Sequence, residues 1–435
     1  MKSTAFFQFT KTSLTVICVF SLLLIALNTS GALAEQQGTT ALSSNSGKSL
    51  NAITPNDTIE ANDGVANDGF AVAISVWGHR VLVGAEGQDE VANSAGAAYI
   101  YEFNGVSWNQ VDKLIANDGA SYDYFGGAVA LWGDVAMVGA RGDDGLTGAV
   151  YVFNYNGVDW VQVDKLTASD AASGDMFGNA ISLKGNRLLV GAPRDDDNAY
   201  NSGAVYIFEY DGMDWNEQPK LLPDGAVFEE LFGSAVSLDG DRALVGAYNG
   251  KNPSNVRSGI AYVFHFDGIN WIQKGKMFAS DGAETDYFGF SVSLSGDRAL
   301  IGSHGHGFYT GAAYLYTYDG NNWGQELKLT SNNAELDDYF GTSVSLNHDR
   351  ALIGATRGDN DNMVDSGSAY VFDYNDGNWV QALRLFDNTG AVNDVFGFAV
   401  GLTNSWLIAG SPGTNSSKGI VHIYLDDPVY QDGFD

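Results

Sequence analysis

The sequence predicts an all-β protein: a seven-bladed β-propeller with four antiparallel strands per blade and with the last blade closed by the N-terminal strand. Three observations support this prediction. One phrase recurs seven times along the 435 residues, each copy divides into four short strands, and the strand missing from the last copy is found before the first. A repeat of about 50 residues that carries several strands is typical of a propeller.

The repeat opens on Phe-Gly, passes through Gly-Asp, Gly-Ala and Gly-Ala-Ala-Tyr, and ends on Asp-Gly-x-x-Trp followed by Lys-Leu. Successive copies are 52 to 56 residues apart, which indicates one closed array instead of several separate domains. The first copy is degenerate and begins Phe-Ala. The copies start at Phe70, Phe125, Phe177, Phe232, Phe288, Phe340 and Phe396.

The second copy shows how one repeat becomes one blade. Residues 125–131 and 135–140 have strand-like patterns and flank a Gly-Asp hairpin signal. Residues 148–155 and 160–166 form a second pair around an Asn-Gly turn. Four antiparallel strands in one unit make one propeller blade.

Two repeated features predict how blades pack. A Gly-Ala or Gly-Ser pair closes the second strand of every copy, and glycine there permits the close approach of a neighbouring backbone. A tryptophan opens the fourth strand of the first six copies; it favours packing of one blade on the next, and a sugar-stacking surface is the alternative. These residues are Trp108, Trp160, Trp215, Trp271, Trp323 and Trp379.

The seventh copy lacks its fourth strand and ends near Tyr424. Residues 58–64 read Thr-Ile-Glu-Ala-Asn-Asp-Gly and align with residues 113–119, which read Lys-Leu-Ile-Ala-Asn-Asp-Gly. We therefore expect the N-terminal strand to complete the last blade and to remove its open edge. The predicted propeller spans residues 58–425.

The repeated phrase resembles the FG-GAP repeat, the blade unit of integrin alpha-chain propellers, and most closely the secreted bacterial variety with Trp and Lys-Leu in the outer strand. The resemblance implies a seven-bladed propeller. Roles in the family range from adhesion to lectin-like and enzymatic functions. Integrin blades carry an Asp-x-Asp-x-Asp-Gly calcium loop between their first two strands. This chain has only Gly133-Asp134 or its equivalents there, so calcium binding does not transfer with the resemblance.

The N-terminal 34 residues have the pattern of a signal peptide. Lys2 and Lys11 give a positive start, an apolar run follows, and a small-x-small motif ends at Ala34. The apolar run is shorter than the roughly 20 residues that a spanning helix needs. We expect an exported protein, in the periplasm, at the cell surface or outside the cell, without a transmembrane segment in the mature chain.

The segments that flank the predicted propeller have a different composition. Residues 35–57 are rich in Ser, Thr, Asn and Gly and predict a flexible leader. Residues 426–435 form an acidic-aromatic tail. The only cysteine is Cys18, inside the signal-like segment, so the mature chain is expected to fold without disulfides.

The chain is strongly acidic, with a formal net charge of −31. Nucleic acid is excluded as a partner because binding it requires Lys and Arg to neutralise phosphates. A protein or carbohydrate ligand of a monomeric propeller is the remaining expectation. High negative charge also fits solubility in salt or the binding of cations.

The loop that follows the second strand varies in length from copy to copy. From the residue after Gly in the Gly-Ala or Gly-Ser pair to the Gly that precedes the third strand, the steps are 11, 8, 11, 12, 8, 12 and 8 residues. Strand alternation places these loops and the links between blades on one face, and variable loops on a rigid scaffold commonly carry binding sites. This face is also rich in aspartate; the aspartates of the links predict either local turn caps or a ring of calcium ligands.

Two longer loops share an acidic spacing, Asp-x-Asp-x-x-x-Asn and Asp-x-Asp-x-x-x-Asp. Alternate carboxylates on one loop can converge on a cation, with calcium as the cofactor to be considered. A solvated acidic turn is the alternative, because both loops lack the central Gly and terminal Glu of the strong calcium signature. The candidate metal ligands are Asp195, Asp197, Asn201, Asp359, Asp361 and Asp365.

Other motifs predict less. Arg-Gly-Asp occurs at residues 141–143 and 357–359, where a Gly- and Asp-rich loop produces it easily. His304 and His306, with Tyr309, suggest a metal pair or a polar loop. No nucleophile elbow, phosphate loop or zinc-protease motif is present in the sequence, so no catalytic residue is assigned. The sequence thus favours a binding or adhesion propeller; a calcium-assisted polysaccharide hydrolase or lyase and a structural matrix protein are the alternatives.

Overall fold

The computed structural model describes residues 52–53, 55–359 and 365–425, and these form seven antiparallel sheets of four strands each, the sixth of which gains a fifth, parallel strand. The seven-bladed propeller and its four-stranded blades are confirmed. The predicted signal peptide, most of the predicted leader, the tail and the candidate ligand Asp361 lie outside the described residues.

Strands are numbered in chain order. The first strands of blades 1 to 7 are β3 (Phe70–Trp77), β7 (Phe125–Trp132), β11 (Ala180–Lys184), β15 (Ala235–Asp239), β19 (Ser291–Ser295), β23 (Phe340–Asn347) and β27 (Val400–Leu402). The second strands are β4 (Arg80–Ala85), β8 (Val135–Ala140), β12 (Arg187–Ala192), β16 (Arg242–Ala247), β20 (Arg298–Ser303), β24 (Arg350–Ala355) and β28 (Trp406–Ser411).

The third strands are β5 (Ala97–Phe103), β9 (Ala149–Tyr155), β13 (Ala204–Tyr210), β17 (Ile260–Phe266), β21 (Ala312–Tyr318), β25 (Ser368–Asn375) and β29 (Ile420–Leu425). The fourth strands of blades 1 to 6 are β6 (Trp108–Leu114), β10 (Trp160–Leu166), β14 (Trp215–Leu221), β18 (Trp271–Met277), β22 (Trp323–Leu329) and β26 (Asn378–Leu385). The fourth strand of blade 7 is β2 (Asp57–Ile59), from the N-terminal end of the propeller.

The closure of blade 7 has the register that the repeat predicts. Thr58 lies opposite His422 in β29, as Lys113 lies opposite Tyr99 in blade 1. The closure by the N-terminal strand is therefore confirmed, and the last sheet has no missing outer strand.

A further strand, β1 (Ala52–Ile53), lies within the segment predicted as leader. It runs parallel to β26 and adds a fifth strand to blade 6, with Ile53 opposite Leu385. The sequence did not predict it, because two residues without a repeat counterpart give no periodic signal.

The core lies between blades. Each of seven apolar clusters joins side chains of two consecutive blades, and the cluster that joins blades 7 and 1 contains Ile408 and Val421 together with Val83 and Tyr99. Burial of this interface contributes roughly 25 cal/mol per Å² of apolar surface. The ring is therefore stabilised across the seam as it is between the other blades.

The glycines at the end of the second strands have the predicted role. A Cβ atom on Gly139 would lie 2.2 Å from the carbonyl oxygen of Gly178 in the next blade. Equivalent contacts recur around the ring, so these positions admit only glycine where one blade backbone approaches the next.

The repeated tryptophans pack between blades, as predicted. The Arg80 guanidinium of blade 1 lies 5.4 Å from the Trp160 ring of blade 2. The Nη1 atom of Arg80 is also 2.6 Å from Asp134 Oδ1, which belongs to blade 2 as well. Trp160 is 6% exposed, which leaves little of its ring for a sugar. The same arginine contacts recur at Arg187, Arg242 and Arg298.

The three eight-residue loops each contain a four-residue turn, at Asp143–Leu146, His306–Tyr309 and Thr414–Ser417. Three residues of each turn have φ between 48° and 73°, so these turns are left-handed and are not α-helices. In the described ranges no helix has the length and apolar character to cross a membrane.

Candidate functional site

The loops after the second strands and the links between blades form one surface, which we call the variable-loop face. Hydrogen bonds join the two sets directly: Gly142 N–H in a loop donates to Asp123 C=O in a link at 3.0 Å, and Met176 N–H in a link donates to Leu146 C=O in a loop at 2.9 Å. The predicted common face is therefore present, and each loop is held by the backbone of the adjacent link.

The second acidic residue of each link caps a turn. Asp123 Oδ2, for example, accepts the N–H of Ala120 at 2.7 Å, and Asp123 is 4% exposed. The local interpretation of these aspartates is thus confirmed. The equivalent acids are Asp68, Asp175, Glu230, Asp286, Asp338 and Asp394.

The first aspartate of the link often belongs to a second repeated arrangement, the cation–tyrosine unit. A fully buried tyrosine of the third strand lies beneath a Lys or Arg of the fourth strand, with 4.9 to 5.8 Å from the cation to the ring. In blade 2, Lys165 Nζ is 2.7 Å from Asp118 Oδ2 of the link. The pairs are Tyr99–Lys113, Tyr151–Lys165, Tyr206–Lys220, Tyr262–Lys276, Tyr314–Lys328 and Tyr370–Arg384.

The structure brings two of the predicted metal ligands together around a lysine. Lys220 Nζ lies 3.0 Å from Asp195 Oδ2, 2.6 Å from Asp197 Oδ2 and 2.7 Å from Asp170 Oδ2. Burial opposes the charge of Lys220, but its three hydrogen-bonded carboxylates raise the pKa of this amine. An ammonium thus occupies the point on which these carboxylates converge, and a calcium ion would have to displace it.

Asn201, the third predicted ligand of that loop, has another local role. Its backbone N–H donates to Asp196 Oδ1 at 2.5 Å, and its φ is 48°. The loop is therefore stabilised by an internal carboxylate–backbone contact, and calcium binding by this loop stays a prediction.

In the corresponding loop of blade 6, the Arg384 guanidinium donates a hydrogen bond to the Asp359 carbonyl oxygen. Asp359 Oδ1 accepts the N–H of Asp365 at 2.9 Å, so these two predicted ligands lie together. Burial and the neighbouring Asp359 raise the pKa of Asp365. Burial also raises the pKa of Asp338 to about 6, with a further contribution from Asp359.

The first Arg-Gly-Asp sequence is not presented as a recognition loop. The Arg141 guanidinium is ion-paired with Glu86. Asp143 is 4% exposed and accepts a hydrogen bond from Tyr151 Oη at 3.1 Å. These contacts give the tripeptide a structural role.

The two histidines of blade 5 do not form a pair. His306 Nδ1 lies 2.8 Å from Asp286 Oδ2 and joins the cation–tyrosine unit of that blade. His304 instead lies among aromatic rings, stacked between Tyr287 and Tyr339 at centroid distances of 5.2 and 5.7 Å. Among the residues described, no three His, Cys, Asp or Glu side chains are grouped as a metal site.

The rings around His304 form a group that we call the aromatic cluster. Phe290 meets the imidazole edge-on at 4.2 Å, and Tyr309 stacks on Tyr339 at 5.0 Å. All members are half-buried. Its residues are Tyr248, Tyr287, Phe290, His304, Tyr309 and Tyr339.

Burial within this cluster lowers the pKa of His304 to about 4, so the imidazole is neutral at pH 7. Burial and the neighbouring Tyr309 raise the pKa of Tyr287 to about 12. The cluster is therefore uncharged and combines ring faces with hydroxyl groups. Aromatic side chains of this kind offer an apolar surface with a polar handle.

The aromatic cluster interrupts the repeat. Blades 3 and 7 have Pro193 and Pro412 at the position of His304, and Met176 and Leu231 stand where Tyr287 and Tyr339 do. The sequence singled out His304 and Tyr309 but missed the other rings. Tyr124 of blade 2 stands at the same repeat position as Tyr287 and Tyr339, so the departure lies at Tyr248, which occupies the position of His304 in blade 4 and was the signal that could have found the cluster.

Concave sites are shallow in the described part of the chain. A hollow of about 300 Å³ lies at Asn347, Asp349 and Arg350, on the opposite face between blades 6 and 7. This hollow lies at the opposite end of the strands from the variable loops. No deep cavity for a small molecule therefore accompanies the aromatic cluster among the described residues.

The repeats match a known family. The family profile described as FG-GAP repeat matches residues 54–101, 108–153, 160–208, 215–264, 271–316 and 323–372, well over half of the chain. The chain belongs to the FG-GAP repeat family. No curated protein is significantly similar to it.

Each matched FG-GAP repeat is offset from the blade by one strand. The match at 108–153 begins with β6 of blade 1 and ends in β9 of blade 2. The first match, 54–101, begins with β2, which completes blade 7. Each matched unit therefore begins with the outer strand of one blade and continues into the next blade. Because the first unit also begins with an outer strand, that strand completes blade 7.

Proposed function

We propose that this FG-GAP propeller is an exported binding or adhesion protein that contacts a carbohydrate or protein ligand through the variable-loop face. The aromatic cluster around His304 carries the proposal. Its residues Tyr248, His304 and Tyr309 depart from the repeat on the face whose loops vary, and structural repetition does not require them.

The chemistry of the cluster favours an extended ligand. Its rings offer stacking surfaces, and the hydroxyls of Tyr287 and Tyr309 offer hydrogen-bonding groups to a sugar or peptide. Small-molecule sites are usually concave and enclose most of their ligand. A polymer or a protein surface fits the shallow relief of this face better, with carbohydrate as the first ligand class to test.

Export is proposed on the signal-like residues 1–34, which lie outside the described residues. An exported acidic propeller meets polysaccharides and surface proteins, and its charge keeps it soluble. Calcium is proposed as an accessory cation at the loops of Asp195 and Asp359, where several carboxylates lie close together.

The test is a glycan array with the purified propeller, with and without calcium, followed by titration of the strongest ligand. Tyr287→Ala and Tyr339→Ala are each expected to weaken binding about fivefold or more, since stacking on an aromatic ring is worth on the order of 1 kcal/mol. Tyr122→Ala is the matched control, because Tyr122 is exposed on the same face in blade 2.

Equal loss in the Tyr122 variant would place the ligand elsewhere and contradict the role of the aromatic cluster. Absence of glycan binding combined with binding of a surface protein would select the protein ligand. Turnover of polysaccharides, lost in a His306→Ala variant, would instead establish the hydrolase or lyase alternative.

A further inference from the structure

Blade 7 lacks the cation–tyrosine unit that the other six blades share. The register of β2, β28 and β29 places His422 where the other blades have the buried tyrosine, and Thr58 where they have Lys or Arg. The chain therefore provides neither the phenol nor the cation in this blade.

The groups left around His422 are buried and unpaired. His422 is 2% exposed, and neither of its ring nitrogens has a hydrogen-bond partner in the described part of the chain. The same holds for the hydroxyls of Ser411 and Thr414. Buried polar side chains in folded proteins are nearly always paired with protein or ordered water, so the unpaired imidazole of His422 is available to a guest.

Thr414 lies at the repeat position of Asp143 in blade 2 and His306 in blade 5. Both of these side chains approach the tyrosine hydroxyl of their unit, at 3.1 and 3.4 Å. At these two positions blade 7 has threonine and histidine, which are smaller than the histidine and tyrosine of blade 5. The carboxylate of the link remains: Asp387 Oδ2 lies 3.9 Å from His422 Nε2.

This separation is too long for a hydrogen bond and suits two ligands of one metal ion. Zinc binds imidazole nitrogen and carboxylate oxygen at about 2.0 to 2.2 Å each in tetrahedral geometry, which sets the two ligand atoms roughly 3.3 to 3.6 Å apart, so the two side chains would approach each other by about half an ångström on binding. Calcium prefers oxygen ligands throughout, and the imidazole argues against it here.

We propose that blade 7 binds one divalent transition-metal ion of the zinc class between His422 and Asp387, where the other blades hold a lysine or arginine cation. The Thr414 hydroxyl and solvent complete the coordination. With two strong protein ligands the site binds more weakly than a four-ligand structural zinc site, in the micromolar range.

The test is isothermal titration of the full-length protein with Zn²⁺, Ca²⁺ and Mg²⁺. One equivalent of Zn²⁺ is expected to bind at micromolar concentration and to raise the melting temperature. Thr58→Lys restores the repeat's cation and should weaken Zn²⁺ binding at least tenfold. Thr58→Met has a similar length without the charge and should leave Zn²⁺ binding unchanged.

His422→Phe should also abolish the Zn²⁺ isotherm, and His348→Gln, which removes an exposed histidine, should not. If His422→Phe fails to fold, the two Thr58 variants decide the matter, because Thr58 is exposed and neither change removes a buried group. Unchanged binding in Thr58→Lys, or equal binding of Ca²⁺ and Mg²⁺, would overturn the proposal.

Discussion

At the scale of single residues, the molecule differs from its own repeat at a few buried positions, and these govern its response to pH. His304 is neutral among aromatic rings, and Asp338 keeps its proton more readily than an ordinary aspartate because it is buried near other acids. Each group therefore makes the free energy of unfolding depend on pH, and the two act with opposite sign.

For His304, the folded-state pKa of about 4 lies below the unfolded value of 6.5. Above pH 6.5 the His304 imidazole is neutral in both the folded and the unfolded chain, so it does not make the free energy of unfolding depend on pH there. As the pH falls, the unfolded chain gains a proton that the folded chain does not, and the free energy of unfolding should drop by about 2 kcal/mol by pH 4.5. Denaturant unfolding of His304→Phe should show a correspondingly smaller loss; an unchanged loss would contradict this assignment.

For Asp338, the folded-state pKa of about 6 lies above the model value of 3.8. Its stabilising contribution is complete below the unfolded pKa and is lost as the pH rises through 6. Asp338→Asn keeps an oxygen for the Glu335 N–H and removes the charge. We expect this variant to be more stable than the parent at pH 7, by on the order of 1–2 kcal/mol, and nearly equal to it at pH 4. Equal melting temperatures at both pH values would refute it.

At the scale of elements, the strands follow from local patterns and the site does not. The inner strands and their closing glycines repeat a short phrase, so any one copy predicts the others. The aromatic cluster combines four separate segments, near Tyr248, Tyr287, His304 and Tyr339, whose meeting depends on the packing of blades 4 to 6. A pattern within one repeat does not show that these four segments contact one another. It also does not show that β1 pairs with β26.

The acidic loop of blade 3 gives a prediction about calcium. In Lys220→Met, the carboxylates of Asp170, Asp195 and Asp197 lose the ammonium that holds them together. We expect the variant to be destabilised without calcium and to gain more stability than the parent when calcium is added, by about 2.7 kcal/mol at a hundredfold excess over the dissociation constant. Thermal melts with calcium, magnesium and chelator measure this.

Lys184→Met is the control for that experiment, because Lys184 pairs with the single acid Asp239 on the opposite end of the blade. An equal response to magnesium, or the same calcium response in the control, would indicate charge screening instead of a calcium site.

At the scale of the whole molecule, the ring depends on contacts between chain ends. Besides the β2–β29 pairing, Lys418 Nζ lies 2.7 Å from Glu60 Oε2, and the Tyr101 hydroxyl donates to Glu60 C=O at 2.7 Å. The N-terminal segment therefore contacts both the last blade and the first. This closure was predictable because the missing strand has a recognisable sequence copy at residues 58–64.

Removal of residues 35–65 should lower the melting temperature of the propeller by at least about 5 °C, because it opens blade 7 and removes Glu60 from the seam. Removal of residues 35–50 should change it little, since both β1 and β2 are retained. Differential scanning calorimetry of the two truncations measures this. Identical melting temperatures would show that closure contributes nothing to stability.

The pairing of β2 with β29 also sets a schedule for biosynthesis. Asp57 is made 363 residues before Ile420, which at roughly 5–20 residues per second is a delay of about 20 to 70 seconds. Throughout that delay β2 lacks its partner β29, and blade 7 is incomplete. A chain that stops before β29 cannot form this pairing, so the ring closes only after residues 420–425 have been made.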